Sequence, residues 1–207
     1  MRVLTPEEFS RILGELPTRY AAMVLTDIET GLRWGELIAL RPTDVDFLRR
    51  TITVHRTIIE VPRPISPTGE RMMVKHYPKD DEARTLRISG DLVESLSRQV
   101  AALDLSPEQL LFSSTGRAGG GPISRNTFRT RVWLPALERA KLGFHVRFHD
   151  LRHAHASWAL AGGADLKAVM ERMGHAQITT TQRYLHTLPD SDDKALAAFA
   201  RVRDRLA

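Results

Sequence analysis

Residues 51–88 are unlike the rest of the chain. "TITVHRTIIEV" is dense in β-branched side chains, "PRPISPTGE" is a turn-rich loop, and "RMMVKHY" and "RTLRI" again have strand character. β-Branched residues fit a pleated strand better than a helix, and the Pro/Gly punctuation keeps the runs short. On both sides of this window the apolar residues return at helical spacing. The chain therefore reads as mainly α with one small antiparallel β-sheet, an α+β class, and its 207 residues suit one domain.

Several helix boundaries are written in the sequence. In "TPEE", Thr5 can cap, Pro6 fits the first turn, and Glu8 completes a capping box ahead of Phe9, Ile12 and Leu13. A second helix is expected from about Arg19 to Thr30, with Gly31 supplying the positive φ that ends it. "LRWGELIAL" restarts a helix that "RPTD" breaks. Further helices are expected at 91–103, 124–141, 149–161, 165–173 and about 179–186, with a last one after "LPDSDD" that carries Leu196, Phe199, Val202 and Leu206 near one face.

Composition excludes some classes. There is no cysteine, so disulfides and thiolate metal sites are ruled out. No run of about 18 apolar residues occurs, and "MRVLTPEEFS" has no signal-peptide core, which points to a cytoplasmic protein. The net charge of +5 leans toward polyanionic partners without identifying one.

The densest chemistry lies in "HDLRHAHASWAL", His149 to Leu160. On a helical wheel Leu151, Ala154, Trp158 and Ala161 form an apolar stripe, and His149, Arg152 and His153 fall on the opposite side, away from the core. His155 lies beside the stripe as a core or boundary histidine. Three readings fit this segment alone. It can be a polar helix start. It can be a zinc helix, with His149 and His153 at i and i+4, although Arg152 would then sit beside the cation. Or His149 and Arg152 can form a phosphate-handling pair, guanidinium on oxygens and imidazole on a proton.

Two other segments bear on the choice, "TGLRWGELIAL" and "ERMGHAQITTTQRYLH". Together with "HDLRH", in this order and spacing, they resemble the tyrosine recombinases, the phage integrase family, from about Leu4 to His186. The resemblance implies the catalytic-domain fold of that family. It assigns catalytic roles to Arg33, His149, Arg152, His175 and Tyr184, and a supporting role to Glu36. It also assigns a hairpin lysine, matched by Lys79 through its distance to Arg84, with Lys75 as the fallback. His153 and His186 occur in the family's context without assigned chemistry.

The implied chemistry suits these side chains. A free tyrosine has a pKa near 10, so attack on a phosphodiester needs help with its proton and with developing charge. Arg33 and Arg152 would donate to the non-bridging oxygens, His149 would accept the tyrosyl proton, His175 would donate to the phosphate, and Lys79 would protonate the leaving oxygen. The product in the family is a 3′-phosphotyrosyl bond with a free 5′-hydroxyl, resealed without a nucleotide. In keeping with that, the sequence has no P-loop, no dinucleotide turn and no two-metal acidic cluster, so no cofactor and no metal are expected.

The resemblance further implies double-stranded DNA as partner, a homotetramer on DNA, and site-specific recombination or integration. The expected organisation is a catalytic domain at 1–189 and a helical tail at 190–207 that docks on a neighbouring protomer. The family's N-terminal core-binding domain has no counterpart here, as expected of a catalytic domain alone. Arg125, Arg129, Arg131 and Arg147, in "RNTFRTRVW" and "HVRFHDLRH", are candidate phosphate contacts. The competing readings are a type IB topoisomerase-like relaxase, a His-ligated metallohydrolase, and a DNA-binding module without catalysis.

Overall fold

The computed structural model describes residues 2–61, 70–77, 83–115 and 119–174. Lys79, His175, Tyr184, His186, the helix expected near 179–186 and the tail lie outside the described residues.

Helix α1 (Pro6–Gly14) begins as its sequence dictates. The Thr5 hydroxyl accepts from the Glu8 backbone N–H at 3.3 Å and the Glu8 carboxylate accepts from the Thr5 N–H at 3.0 Å. Such a cap stabilises a helix by about 1 kcal/mol. A 3₁₀ turn (Thr18–Tyr20) leads into α2 (Ala21–Thr30), which buries Met23, Val24 and Ile28 and ends on Gly31 at φ 62°. Helix α3 is a single turn, Trp34–Leu37, shorter than the apolar run suggests. Its continuation, Ile38 to Leu40, is buried in non-helical backbone.

The β window folds as a bent ribbon rather than one sheet. Strands β1 (Val45–Asp46), β2 (Thr51–Val54) and β5 (Arg84–Arg87) form one antiparallel sheet in the order β1-β2-β5, and β3 (Arg56–Glu60) pairs with β4 (Met72–His76) in a second. Residues 51–54 face 87–84, then 56–60 face 76–72, so the ribbon changes partner at His55. Ile52, Val54, Arg56 and Ile58 keep one buried parity throughout. Where the partner changes, the Tyr77 backbone N–H donates to the His55 carbonyl at 2.9 Å.

Helix α4 (Gly90–Ala102) packs on α2, capped by Ser89. The expected basic helix at 124–141 is α5 (Arg125–Phe128), a π-turn (Arg129–Trp133) and α6 (Leu134–Ala140) in succession. Phe128 sits in an aromatic cluster with Tyr20, Trp34, Trp133 and Phe148, at centroid distances of 5.1–6.4 Å. Helices α7 (Asp150–Ala161) and α8 (Leu166–Met173) complete the described fold.

Helix α7 packs against α2 and also against α8, where Ala156, Leu160, Val169 and Met173 form a second small core. This corrects the helical-wheel expectation for Arg152. It is 3% exposed rather than turned away from the core, because partners cover two sides of the helix. Trp158 is half-buried, edge-on to Phe9, with its indole N–H donating to the Leu4 carbonyl at 2.8 Å. The α+β expectation, mainly helical with a small antiparallel β component, holds.

Candidate active site

Glu36, on the one-turn helix α3, is fully buried and is the hub of the site. Its carboxylate accepts from the Arg33 backbone N–H (2.8 Å), Arg33 Nη1 (3.0 Å), Arg84 Nη2 (2.7 Å), Arg84 Nη1 (3.1 Å) and the Tyr77 hydroxyl (3.1 Å). Burial alone would raise its pKa. The Arg84 hydrogen bonds and charge, with those of Arg33, outweigh burial and hold it at about 2. The same burial beside Glu36 raises the Tyr77 phenol.

Both arginines expected to bind phosphate reach the last turn of α8. Arg33 Nη2 donates to the Gly174 carbonyl at 2.7 Å, and Arg152 Nη2 donates to the Met173 carbonyl at 2.6 Å. Arg152 Nη1 bonds the Gly31 carbonyl where α2 ends. The Arg33 side chain keeps 44% of its surface exposed. Gly174 ends α8 at φ 63°, a left-handed conformation that favours glycine, and a Cβ there would lie 2.9 Å from Arg84 Nη1. Arg84 also donates through Nε to the Arg172 carbonyl at 3.0 Å, tying β5 to the same turn.

His149 precedes the first turn of α7 and is exposed, its ring 4.9 Å from that of His153. Partial desolvation, with the charges of His153 and Arg152, lowers its pKa to about 4, so the imidazole is neutral at pH 7. Burial, followed by repulsion from Arg33, lowers Arg152 to about 10, which leaves it cationic. Asp27 is 2% exposed, and burial pushes its carboxyl well above the usual range, with Arg152 opposing. His155 is buried as expected, its Nδ1 2.9 Å from the Ile28 carbonyl oxygen.

The structure thus brings Arg33, Glu36 and Arg152 around one helix end. Arg125 and Arg129 are exposed on the α5 and π-turn segment beside Trp34, Arg131 is exposed on the same segment, and Arg147 is paired with Asp150 at 2.8 Å. Lys75 is exposed on β4 opposite Thr57. Arg84, Tyr77 and Asp27 were not foreseen. Only the distance of Arg84 from Lys79 hinted at one of them. Among the described residues, no three histidine or carboxylate side chains are grouped so as to hold a metal ion.

The sequence pattern of the phage integrase family matches residues 2–190. The tyrosine recombinase XerD of Rickettsia bellii is 30% identical over 183 residues, covering 86% of this chain and 55% of that protein. The putative prophage phiRv2 integrase of Mycobacterium tuberculosis is 27% identical over 209 residues, covering 99% of this chain and 52% of that protein. The chain spans about half the length of these curated relatives. Among solved structures, the XerA recombinase superposes with a TM-score of 0.69 at 26% identity, over 97% of this chain and 65% of that one. The catalytic domain of bacteriophage HP1 integrase shares the fold at a TM-score of 0.59 and 20% identity, over 95% and 94% of the two chains. The Tn1549 transposon integrase, in complex with a circular intermediate DNA, also shares it, at a TM-score of 0.77 and 19% identity, over 97% and 66%. With this pattern matched over nearly its whole length and this fold beneath it, the chain belongs to the phage integrase family, the tyrosine recombinases.

Proposed function

We propose that this chain is the catalytic domain of a DNA strand-exchange enzyme. The observation that carries the reading is the convergence of Arg33 and Arg152 on the consecutive carbonyls of Gly174 and Met173. Two guanidiniums are held at the residue that precedes His175 in sequence, and Tyr184 follows nine positions later.

In the proposed reaction the Tyr184 oxygen attacks a DNA phosphorus and the bond from phosphorus to the 5′-oxygen breaks. His149, neutral at pH 7, takes the tyrosyl proton, and Lys79 gives one to the departing 5′-oxygen. Arg33, Arg152 and His175 donate to the non-bridging oxygens, where charge builds up in the transition state. The 3′-phosphotyrosyl bond preserves the energy of the broken diester. A 5′-hydroxyl from a partner strand reverses the steps, so no nucleotide is consumed and no cofactor or metal takes part. Glu36 sets the position of Arg33 rather than touching the phosphate.

Double-stranded DNA is the partner. Arg125, Arg129, Arg131 and Arg147 lie along its backbone, and four protomers, each making one cut, complete an exchange. Residues 1–189 supply the chemistry and 190–207 dock on a neighbouring protomer, in a protein that works in the cytoplasm. In support, no described helix is long and apolar enough to cross a membrane.

The test is covalent trapping. The chain, in chelator, is incubated with nicked DNA substrates and separated under denaturing conditions. A protein–DNA band is expected from wild type and none from Tyr184→Phe. A band that persists in Tyr184→Phe overturns the assignment. Cleavage that leaves no covalent band and that chelator abolishes would restore the metallohydrolase reading, and relaxation of supercoiled DNA by monomers without exchange would restore the topoisomerase-like one.

A further inference from the structure

Two of the residues bonded to Glu36 flank Lys79 in sequence, Tyr77 before it and Arg84 after it, and the proposed cleavage chemistry uses neither. The Tyr77 hydroxyl donates to Glu36 Oε1 at 3.1 Å. Arg84 donates to the same oxygen at 3.1 Å and to Oε2 at 2.7 Å. His76 pairs with Arg56 and Arg84 with Val54, so the chain leaves β4 and enters β5 opposite neighbouring positions of the β2 and β3 run. Both ends of the segment that carries Lys79 are thus fastened to one buried carboxylate. Arg33 Nη1 bonds that carboxylate too, at Oε1 and 3.0 Å.

The two flanking residues contribute different things. Arg84 neutralises the buried charge and also holds the Arg172 carbonyl at 3.0 Å, so it serves the fold as a whole. Tyr77 is half-buried, and burial, then the Glu36 charge, raises its phenol, which stays protonated and donates as a neutral group. Two guanidiniums already balance Glu36, so what the Tyr77 hydroxyl adds is a fixed point at the start of the lysine-bearing segment. We infer that Tyr77 is a positioning residue for Lys79, its bond to Glu36 Oε1 setting where that segment begins relative to Arg33. The leaving-group acid and the phosphate clamp then share one reference atom. This rests on the reading of Lys79 as the acid that protonates the departing 5′-oxygen. Proton transfer requires a heavy-atom approach of about 2.6–3.2 Å, and a misplacement of about 1 Å can cost 100-fold in rate. Without the hydroxyl, Arg33 keeps its two bonds to Glu36 and its bond to Gly174, so the loss falls on the lysine.

The experiment compares two leaving groups in single-turnover cleavage of nicked duplex by the full 207-residue chain. One substrate has the natural 5′-oxygen at the cleaved bond and the other has sulfur in its place. With sulfur, the Tyr184 oxygen attacks phosphorus, the phosphorus–sulfur bond breaks, and the electron pair leaves on sulfur. A thiol has a pKa of about 8.5, so the thiolate departs without a proton from lysine. Tyr77→Phe is expected to cleave the oxygen substrate about tenfold more slowly, part of the roughly 100- to 10,000-fold that a positioned acid contributes, and the sulfur substrate within about twofold of wild type. Lys79→Ala should show the same pattern more strongly. On the oxygen substrate the double variant should be no slower than Lys79→Ala, because Tyr77 acts through the lysine. The inference is overturned if Tyr77→Phe matches wild type on oxygen, or if the two losses add in the double variant. Equal loss of Tyr77→Phe on both substrates overturns it as well, since the effect then lies on Arg33 or on folding. If sulfur rescues Lys79→Ala but not Tyr77→Phe, this inference alone fails. If sulfur does not rescue Lys79→Ala, or wild type cleaves neither substrate, the reading beneath it fails and takes the inference with it.

Discussion

Glu36 has five donors aimed at two oxygens inside the protein, and removing it leaves the Arg33 and Arg84 charges facing an empty site. Loss of one partner from a buried ion pair typically costs about 3–5 kcal/mol. Glu36→Ala is expected to lose stability of that order in urea unfolding and to lose covalent trapping with it. Glu36→Gln, which keeps the shape, should lose less of both. Because its folded pKa of about 2 is below the ordinary 4.5, the contribution of Glu36 is complete above about pH 4.5 and disappears as pH falls through 2. His155 acts in a different window. Burial, then the Arg172 charge, lowers it from 6.5 to about 4. Its contribution is therefore complete above pH 6.5 and is lost as pH falls through 4, on the order of 3 kcal/mol in all. His149 titrates over the same range, so the informative quantity is the difference between wild type and His155→Gln, measured by urea unfolding at pH 7 and pH 4.5. A variant that loses as much stability as wild type over that interval would contradict the assignment to His155.

At the scale of elements, the site depends on how closely α3 approaches β3. A Cβ on Gly35 would lie 2.5 Å from the Ile58 carbonyl oxygen and closer still to the Thr57 hydroxyl. Gly35→Ala must therefore push the one-turn helix off the strand, at a cost of roughly 1–3 kcal/mol. Arg33 and Glu36 flank Gly35 and move with the helix, so trapping should fall more than the change in melting temperature alone would suggest. The end of α8 is held from three sides, by Arg33, Arg84 and Arg152, all donating to its last carbonyls. Nothing in the local pattern of α8 announces this. Its amphipathic spacing predicts a helix that ends at Gly174, and the partners of its carbonyls come from residues 21 to 141 positions away.

At the scale of the whole molecule, the proposed DNA binding would rest on phosphate contacts by the exposed Arg125, Arg129 and Arg131, in a chain of net charge +5. Affinity for nonspecific duplex should fall linearly as log salt rises, and Arg129→Ala should reduce that slope by about one. A slope near zero for wild type would contradict the proposed interface. A chain truncated after Asp190 should still form the covalent band but assemble less on DNA in sedimentation, since the tail is proposed to bridge protomers. Unchanged assembly would assign the tail to its own protomer.

Much of this protein is determined locally. The Thr5–Glu8 capping box, the Gly31 and Gly174 helix ends and the β-branched window depend on a few neighbouring residues, and each lies where its sequence places it. Arg33 and Glu36 are three residues apart, so their pairing follows from local geometry once the single turn of α3 forms. The burial of Arg152 was not legible in the sequence, because a helical wheel describes one helix and α7 is covered on two sides by elements distant in sequence. Nor were Arg84 and Tyr77 on Glu36, or Asp27 beneath the aromatic cluster, since no spacing rule links residues 27, 36, 77 and 84. Local hydrogen bonding and periodicity determined the elements and the residue types of the site. Long-range packing alone decided which charges are buried together, because the cost of a buried charge depends on the partners that the fold brings to it.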